Sequence, residues 1–270
     1  MSSKRVCVLT GASGVIGYAI TKALKASTVH QWHVIIIGRR APPQSLTNEP
    51  PKLPFDVFLA IADMTNEDLV TSTLNSHFES LRDHEDPEVK ALDRLDLLVN
   101  CAGCSLGNEP IVNVSADTFR SVLEINVVTP FILSKWAMAK FASQDDNDLS
   151  RIINIGSIAC ESPRLNMVPY ATSKFALTGL TRAFSLDGRH LGQTTMSETS
   201  GMVAVCQINP GNVRSNIMSA EEMARREKEE GFVEPDEVGM YVAHVADMQN
   251  TVNVLESTIM PTRQPLVGRG

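Results

Sequence analysis

A glycine-rich turn between an apolar strand and a helix constrains this chain more than any other stretch. Val6-Cys7-Val8-Leu9-Thr10 is short, apolar and rich in β-branched residues, which predicts a buried parallel strand. Thr10-Gly11-Ala12-Ser13-Gly14-Val15-Ile16-Gly17 follows, and the next residues, 18–26, have helical periodicity. Glycines at such a junction let the backbone approach a pyrophosphate, which the positive end of the helix attracts. The expected contacts to a dinucleotide are Gly11, Ser13, Gly14, Val15, Ile16 and Gly17.

The end of the second predicted strand carries arginines where a carboxylate would favour NAD. Val34-Ile35-Ile36-Ile37 is that strand, and Gly38-Arg39-Arg40 follows it. In an NAD-binding unit, a carboxylate near this point holds the 2′-hydroxyl of the adenosine ribose. A guanidinium can instead bind a 2′-phosphate through two hydrogen bonds. We therefore predict NADP(H), bound through Arg39 and Arg40; the alternative is that both arginines are solvated at a strand exit.

A tyrosine and a lysine lie one helical turn apart in Tyr170-Ala171-Thr172-Ser173-Lys174. Residues at this spacing share one face of a helix, and Pro169 suits the first turn of that helix. A free tyrosine has a pKa of about 10, and a nearby cation lowers it. The pair can then move a proton to or from a substrate oxygen near neutral pH. Such pairs also arise by chance, so the interpretation depends on the rest of the chain.

Ser157 follows the apolar run 151–156, which predicts the fifth strand. Its hydroxyl is placed to donate to a substrate carbonyl and polarise it. Together with the glycine turn and with Asn126, these residues resemble the short-chain dehydrogenase/reductase family, whose catalytic residues are an Asn, a Ser, a Tyr and a Lys in this order. The resemblance runs from about Arg5 to the C-terminus. The glycine turn departs from the family's single-domain pattern at Val15, which stands where the middle glycine is expected. The remaining glycines have the Thr-Gly-x-x-Gly-x-x-Gly spacing, which is usual in the family's extended, sugar-nucleotide-using branch.

The resemblance implies an activity and roles for individual residues. The activity is reversible hydride transfer between nicotinamide and a small carbonyl or secondary alcohol. Lys174 is expected to bind the nicotinamide ribose as well as to act on Tyr170. Asn126 is expected to kink its helix and to hold a water that relays protons; the alternative is a buried amide bonded to a neighbouring strand. Ser157 and Tyr170 keep the roles given above, so the expected catalytic residues are Asn126, Ser157, Tyr170 and Lys174.

Further cofactor contacts also follow from the resemblance. Asp63 and Met64 come after the third predicted strand, where the family contacts adenine, although Asp63 could equally cap a helix. Asn100-Cys101-Ala102-Gly103 corresponds to the family's Asn-Asn-Ala-Gly strand end, with Cys in second place. The segment 209–215 matches the Pro-Gly loop beside nicotinamide. The additional expected contacts are Asp63, Met64, Asn100, Ala102, Gly103, Tyr170, Lys174, Pro210, Gly211, Val213 and Ser215.

The alternation of apolar strands with helical segments predicts a doubly wound, Rossmann-type α/β fold with a parallel sheet of about seven strands and helices on both faces. We expect residues 1–270 to form one domain, because 270 residues that are 43% hydrophobic suffice for one large core. We expect one long helix from Ser115 to Phe141, bent at Pro130, and an extended loop over 41–54. The resemblance adds a charged lid over the substrate at about 216–235.

Charge and cysteine content narrow the class of function. The net charge is −7, and acidic and basic residues are mixed, so no basic stripe indicates nucleic acid. We expect no membrane span, since no apolar run approaches about 20 residues, and no signal peptide, so we predict a cytoplasmic protein. The five cysteines, an odd number, predict free thiols. Cys101 and Cys104 lack a second ligand pair, so we expect no metal.

The resulting prediction is an NADP(H)-dependent oxidoreductase, and the C-terminal residues weakly resemble members that act on 3-hydroxy acids and hydroxy amino acids. The resemblance implies a homodimer or homotetramer, formed through the helices of Asn126 and Tyr170. A non-catalytic NADP(H) sensor that binds a partner is one alternative. A sugar-nucleotide-modifying enzyme is another, disfavoured because little chain follows the last strand. Arg164 and Arg214 are candidate carboxylate partners, or else surface residues.

Overall fold

The computed structural model describes residues 4–41, 55–144, 150–191, 202–215, 220–249 and 251–266. Their strands are β1 Lys4–Thr10, β2 Gln31–Gly38, β3 Val57–Ala60, β4 Leu97–Asn100, β5 Arg151–Ile155, β6 Ala204–Pro210 and β7 Glu256–Ile259. These seven strands form one parallel sheet in the order β3-β2-β1-β4-β5-β6-β7. The chain builds outward from β1 in one direction and then from β4 in the other. The predicted doubly wound, Rossmann-type sheet is confirmed.

Helices lie on both faces of this sheet. They are α1 Val15–Lys25, α2 Glu67–Arg82, α3 Pro87–Lys90, α4 Ala116–Leu123, α5 Thr129–Ala142, α6 Val168–Arg189, α7 Ala220–Glu229 and α8 Pro235–Ala246. Because successive strand residues point to opposite faces, β1 contributes to two cores. Val6 and Val8 pack in the core that includes α2 and α5. Cys7 and Leu9 pack in the core that includes α1 and α8.

The first long helix and the last one cross closely. A Cβ atom on Gly239 of α8 would lie 2.5 Å from the backbone oxygen of Ala19 in α1, closer than any side chain allows. Around this crossing, Ile20 of α1 and Val242 of α8 are fully buried in one core. The helix that follows the glycine turn is therefore covered by the last helix of the described chain.

A buried arginine joins the sheet to the end of α8. Arg151, at the start of β5, has no solvent exposure. Its Nη2 donates to the backbone oxygens of Met248, Gln249 and Val252 at 3.2, 2.9 and 2.8 Å. These carbonyls lie beyond the last turn of α8, where backbone oxygens lack partners within the helix. The segment after α8 thus supplies hydrogen-bond acceptors to a buried charge at the amino end of β5.

The helix expected from Ser115 to Phe141 is confirmed as one helical run, Ala116–Ala142, but the irregularity expected at Pro130 lies elsewhere. Ser115 begins α4 by accepting a hydrogen bond from Thr118 N at 3.0 Å. Glu124–Val128 then form a π-helical turn, and α5 starts at Thr129. The irregularity surrounds Asn126 rather than Pro130, which sits in the first turn of α5. Turns of this kind are frequent at functional sites.

The same stretch corrects the expectation about apolar length. Within the described residues, Ala116–Ala142 is long and apolar enough to cross a membrane by length and composition alone. More than half of its apolar window is buried in the protein, where Leu133 and Phe141 pack against the sheet. A helix that covers a parallel sheet needs this composition, so its apolar character is explained by core packing.

Strand boundaries differ from their predicted positions by about two residues. Residues 55–62 predict the third strand, which covers Val57–Ala60, and residues 202–208 predict the sixth, which covers Ala204–Pro210. Of the expected loop over 41–54, residues 42–54 lie outside the described chain. Within the expected lid, the charged residues 220–230 predict a helix, which α7 confirms, and residues 216–219 lie outside the described chain.

Candidate active site

One cavity of about 360 Å³ lies at the carboxyl ends of the central strands. It adjoins the reversal point of the strand order, between β1 and β4, where open α/β sheets bind ligands. Its walls come from the glycine turn, from the loops after β4, β5 and β6, and from α6 and α7. The wall residues used below are Ile16, Cys101, Gly103, Cys104, Ser157, Arg164, Tyr170, Lys174, Pro210, Gly211, Asn212, Val213 and Arg226.

The tyrosine and the lysine both reach this cavity from the start of α6. Pro169 occupies the first turn, as predicted, and Tyr170 follows it. Lys174 is buried, and its Nζ lies 5.6 Å from the centroid of the Tyr170 ring. The same ammonium donates to the backbone oxygen of Ile155 at 2.9 Å. Since an ammonium has three N–H donors, this bond orients Lys174 and leaves two donors for the cavity.

Ser157 stands directly after β5 and opens a 3₁₀ turn, Ile158–Cys160. Its Oγ accepts a hydrogen bond from Ala159 N at 3.1 Å, and its backbone N donates to Asn209 Oδ1 at 3.2 Å. Because the local bond uses the hydroxyl as an acceptor, the hydroxyl proton is available to a group in the cavity. The arrangement is suited to polarising a carbonyl.

A chain of buried polar side chains crosses the sheet behind this serine, and we call it the buried amide chain. Asn100 Nδ2 donates to Asn154 Oδ1 at 2.8 Å, and Asn154 Nδ2 donates to Thr181 Oγ1 at 2.9 Å. The one hydroxyl proton of Thr181 is shared between Leu177 O at 2.8 Å and Gln207 Oε1 at 3.1 Å, and Gln207 Nε2 donates to Asn209 Oδ1 at 2.7 Å. All five residues are buried. Polar networks in a low-dielectric interior fix the positions of their members.

Asn126 ties the loop after β4 to α6. Its Oδ1 accepts from Cys104 N at 2.8 Å, while its Nδ2 donates to Cys104 O and to Ser173 Oγ, both at 2.9 Å. A Cβ on Gly103 would lie 3.3 Å from Asn126 Oδ1 and 3.9 Å from Lys174 Nζ. The structure therefore places Asn126 near Lys174, although Asn126 does not itself line the cavity. Its partners are a loop and a helix rather than a neighbouring strand, and its role in proton relay stays a prediction.

Two cysteines line the cavity beside these groups. Burial raises the pKa of the Cys101 thiol to about 12 and also raises the pKa of Cys104. Both side chains are therefore protonated thiols at neutral pH, and they are not joined by a disulfide. In the part of the chain that the structure describes, no cluster of three or more His, Cys, Asp or Glu side chains could hold a metal ion.

The glycine turn has the geometry of a phosphate cradle. Gly11 has a φ of +77°, and a Cβ there would lie 2.7 Å from Ala102 N. A Cβ on Gly17 would lie 2.3 Å from Gly11 O, so the turn and the helix can approach only without side chains. Gly14 begins α1 with no side-chain cap and no acidic residue in the first turn. The positive helix end is thus open to an anion, and a dinucleotide pyrophosphate fits it. Val15, the departure from the family pattern, lies within the first turn of α1.

The two arginines after β2 are exposed, and neither has a hydrogen bond or ion pair within the described ranges. Hydrogen bonds from the Thr65 hydroxyl and backbone hold the pKa of Asp63 below its usual range, and the charge of Arg39 adds a smaller effect. Arg39 and Asp63 are therefore neighbours at the carboxyl ends of β2 and β3. Asn66, rather than Asp63, caps α2 by accepting from Leu69 N at 2.9 Å.

Some of the remaining predicted cofactor contacts line the cavity, and the others lie outside its wall. Seven line the cavity: Ile16, Gly103, Tyr170, Lys174, Pro210, Gly211 and Val213. Ala102 lies against Gly11, Ser215 is half-buried in the loop after β6, and Met64 is half-buried after β3. Asn100 does not reach the cavity with its side chain, which turns into the buried amide chain and also donates to Ser134 Oγ at 3.2 Å.

Sequence reasoning missed several residues at the cavity. Arg226 and Asn212 line the cavity and were not predicted. Arg164 also lines it, and the sequence offered Arg164 only as one of two candidate carboxylate partners. Arg214, the other option, pairs with Glu227 and Glu234 at 2.6 Å and lies outside the cavity wall, so the surface alternative holds for it. Asn212 lies inside the predicted Pro-Gly loop, which was the available signal. Nothing in the charged run around Arg226 distinguished it from its neighbours.

Comparison with known proteins gives a consistent set of similarities. A family model described as short chain dehydrogenase matches residues 5–226. L-fucose dehydrogenase of Oryctolagus cuniculus is 31% identical over 214 residues, which cover 77% of this chain and 63% of that protein. This chain thus spans less than two thirds of the length of that relative.

Two solved structures share the fold at low sequence identity. One is 3-ketoacyl-(acyl-carrier-protein) reductase from Brucella melitensis complexed with NADH, with a TM-score of 0.74, 18% identity and coverage of 97% and 98% of the two chains. The other is an alcohol dehydrogenase from the archaeon Thermococcus sibiricus complexed with 5-hydroxy-NADP, with a TM-score of 0.71, 18% identity and the same coverages.

Proposed function

Since the chain belongs to the short-chain dehydrogenase family, we propose that it is an NADP(H)-dependent oxidoreductase that interconverts a small carbonyl compound and its secondary alcohol. The observation that carries this proposal is the meeting of Ser157, Tyr170 and Lys174 in one cavity at the carboxyl ends of the sheet. A protein that only senses NADP(H) would not need these three groups around a space large enough for a substrate.

The proposed chemistry divides between cofactor and protein. When bound, the nicotinamide supplies or accepts the hydride. In reduction, Ser157 donates a hydrogen bond to the carbonyl oxygen, and the Tyr170 hydroxyl gives that oxygen its proton. Lys174 stabilises the phenolate that results and offers its remaining donors to the nicotinamide ribose. Asn126 holds the loop after β4 against α6, and we assign it the water that returns a proton through Lys174.

The proposed preference for NADP(H) is supported by Arg39 and Arg40, which follow β2 where an NAD-binding unit carries a carboxylate at the strand end. The test is a titration of the protein with NADPH and with NADH, followed by nicotinamide fluorescence. We expect tighter binding of NADPH, weakened in Arg39→Ala, with NADH binding unchanged. Arg120→Ala is the control, because Arg120 is an exposed arginine that pairs with Asp117. Equal affinity for both cofactors would show that Arg39 does not select the 2′-phosphate.

The proposed mechanism is tested by Tyr170→Phe. We expect this variant to lose reduction of every carbonyl in a panel while it keeps NADPH affinity, because only the proton donor is removed. Tyr241→Phe is the matched control, since Tyr241 packs against the core of α1 and α8, outside the cavity wall. Turnover that survives in Tyr170→Phe contradicts the mechanism. An unmodified protein that binds NADPH and reduces no carbonyl would favour the sensor alternative.

Oligomeric state and lid are also proposals. Phe131 of α5 and Phe175 of α6 are 42% and 50% exposed, which is unusual for phenylalanine and supports a homodimer or homotetramer through these helices. Sedimentation equilibrium would measure the assembly.

We propose α7 as the substrate lid, since Arg226 on it lines the cavity. We also propose that the chain is a single cytoplasmic domain, and that its substrates are 3-hydroxy acids or hydroxy amino acids and their oxo forms.

A further inference from the structure

Three polar side chains from separate segments meet on one wall of the cavity, and we call them the arginine subsite. Arg164 comes from the loop before α6, Asn212 from the loop after β6, and Arg226 from α7; all three line the cavity with Ser157 and Tyr170. Asn212 Oδ1 accepts from Arg164 Nη2 at 3.1 Å and from Arg226 Nη1 at 3.4 Å. Two guanidinium groups therefore converge on one oxygen of a buried amide.

Two glutamates hold these guanidinium groups from outside the cavity wall. Glu230 Oε2 accepts from Arg164 Nη2 at 2.5 Å and from Asn212 Nδ2 at 2.7 Å. Glu222 Oε1 accepts from Arg226 Nε at 2.5 Å. Because a guanidinium has five N–H donors in a plane, these bonds fix its orientation without using all its donors. In the described chain, Arg164 Nε and Nη1 and Arg226 Nη2 make no hydrogen bond to protein.

The charge of the cavity wall indicates what those donors would bind. Among its described residues, the wall carries three cations, Arg164, Lys174 and Arg226, and no carboxylate. Like charges held together in a partly buried cavity repel one another, and an anion among them relieves that repulsion. The two glutamates behind the wall already offset much of the guanidinium charge, so a singly charged carboxylate is a better match than a doubly charged phosphate.

Resting on the function proposed above, we propose that the arginine subsite binds a carboxylate of the substrate while Ser157 and Tyr170 hold its reacting oxygen. The substrate class is then a small oxo acid and its hydroxy acid, short enough for both groups to fit a cavity of about 360 Å³. Arg164 and Arg226 are specificity-determining residues in this arrangement.

The test compares charged substrates with neutral counterparts. The probes are 3-oxobutanoate and 4-oxopentanoate, each beside its methyl ester, and dihydroxyacetone phosphate beside dihydroxyacetone, with NADPH oxidation as the readout. We expect Arg226→Gln to lower kcat/KM for an oxo acid by about 10- to 100-fold, mainly through KM, and to leave its ester unchanged. Arg226→Lys keeps the cation and recovers part of the loss.

Arg225→Gln is the matched control. Arg225 immediately precedes Arg226 on α7, pairs with Glu229, shares Glu222 with Arg226, and does not line the cavity. It removes the same charge from the same helix, so we expect both substrate types to be reduced as before. A loss in this control equal to that of Arg226→Gln would overturn the proposal, since the effect would then come from α7 itself.

Other outcomes separate the subsite from the proposed function. If acids and esters are reduced equally well and Arg226→Gln lowers both alike, the subsite is a latch for α7; the proposal fails and the oxidoreductase function stands. A strong preference for dihydroxyacetone phosphate over the oxo acids overturns the carboxylate assignment in favour of phosphate. Reduction of no carbonyl, charged or neutral, by protein that binds NADPH contradicts the proposed function and the subsite together.

Discussion

Replacing Gln207 by leucine tests whether the buried amide chain positions Ser157. Gln207 is fully buried in β6, and its Nε2 donates to Asn209 Oδ1 at 2.7 Å and to Thr178 Oγ1 at 2.8 Å. Asn209 Oδ1 also accepts from the backbone N of Ser157. Leucine has a similar size and no polar atoms, so Gln207→Leu removes the donors that hold Asn209 while it largely keeps the packing.

The expected loss of stability in Gln207→Leu follows from the hydrogen bonds that the substitution removes. Gln207 Nε2 makes two hydrogen bonds of normal length, and Gln207 Oε1 accepts a third from Thr181. Each is worth about 1 kcal/mol net, and each partner keeps a second hydrogen bond, so we expect the free energy of unfolding to fall by about 2–3 kcal/mol. Displacement of the serine from its productive position should lower kcat by about 10- to 100-fold, with little change in NADPH affinity.

Urea unfolding and steady-state kinetics measure the two effects separately. Gln144→Leu is the control, because it is the same substitution at the opposite end of the sheet, where Gln144 bonds to both backbone groups of Leu95 at 2.6 and 2.9 Å. We expect Gln144→Leu to lower stability and to leave kcat unchanged. If Gln207→Leu lowers stability and leaves kcat at the level of the control, the buried amide chain does not position Ser157.

Two further predictions concern the glycine turn and pH. Gly17→Ala puts a Cβ 2.3 Å from Gly11 O, so it should lower the free energy of unfolding by about 1–3 kcal/mol and weaken NADPH binding. Gly14→Ala is the control, because its nearest contact is at 3.5 Å, and it should change the free energy of unfolding by no more than about 0.5 kcal/mol in the same urea titration. Equal losses in the two variants would refute the steric argument. Burial lowers the pKa of His33 and of His77, so the unfolded chain binds more protons than the folded protein as pH falls through about 6.5, and stability should drop from pH 7.5 to pH 5.5. The double variant His33→Gln, His77→Gln should show a shallower drop, and an unchanged slope would contradict this assignment.

The elements that the sequence predicts best are those whose pattern is local. The buried strand Val6–Thr10, the glycine turn and the helix that follows it each depend on neighbours in the chain, and all three lie where expected. Pro169 likewise marks the first turn of α6. Strand ends were less predictable, because pairing continues until a neighbouring strand ends, which no local pattern records.

Features of the site that depend on distant contacts were not predictable. Apolar residues continue evenly through 116–142, so periodicity alone does not show the π-helical turn at Asn126, which only the family resemblance led us to expect; that amide bonds to Cys104 and Ser173. Asn100 looked like a cofactor contact by its position, yet Asn154, 54 residues later, binds its side chain. The arginine subsite joins two loops and one helix, and only the folded chain brings them together.

The close crossing of α1 and α8 has a consequence for how the protein is made. Ribosomal synthesis delivers the glycine turn and α1 well before α8, the helix that covers α1. A nascent chain that has emerged through β6 still exposes the apolar side of α1 and carries Arg151 without its three carbonyl partners. The glycine turn is therefore synthesised before the helix that covers α1, so we expect cofactor binding to be complete only after α8 has packed against α1.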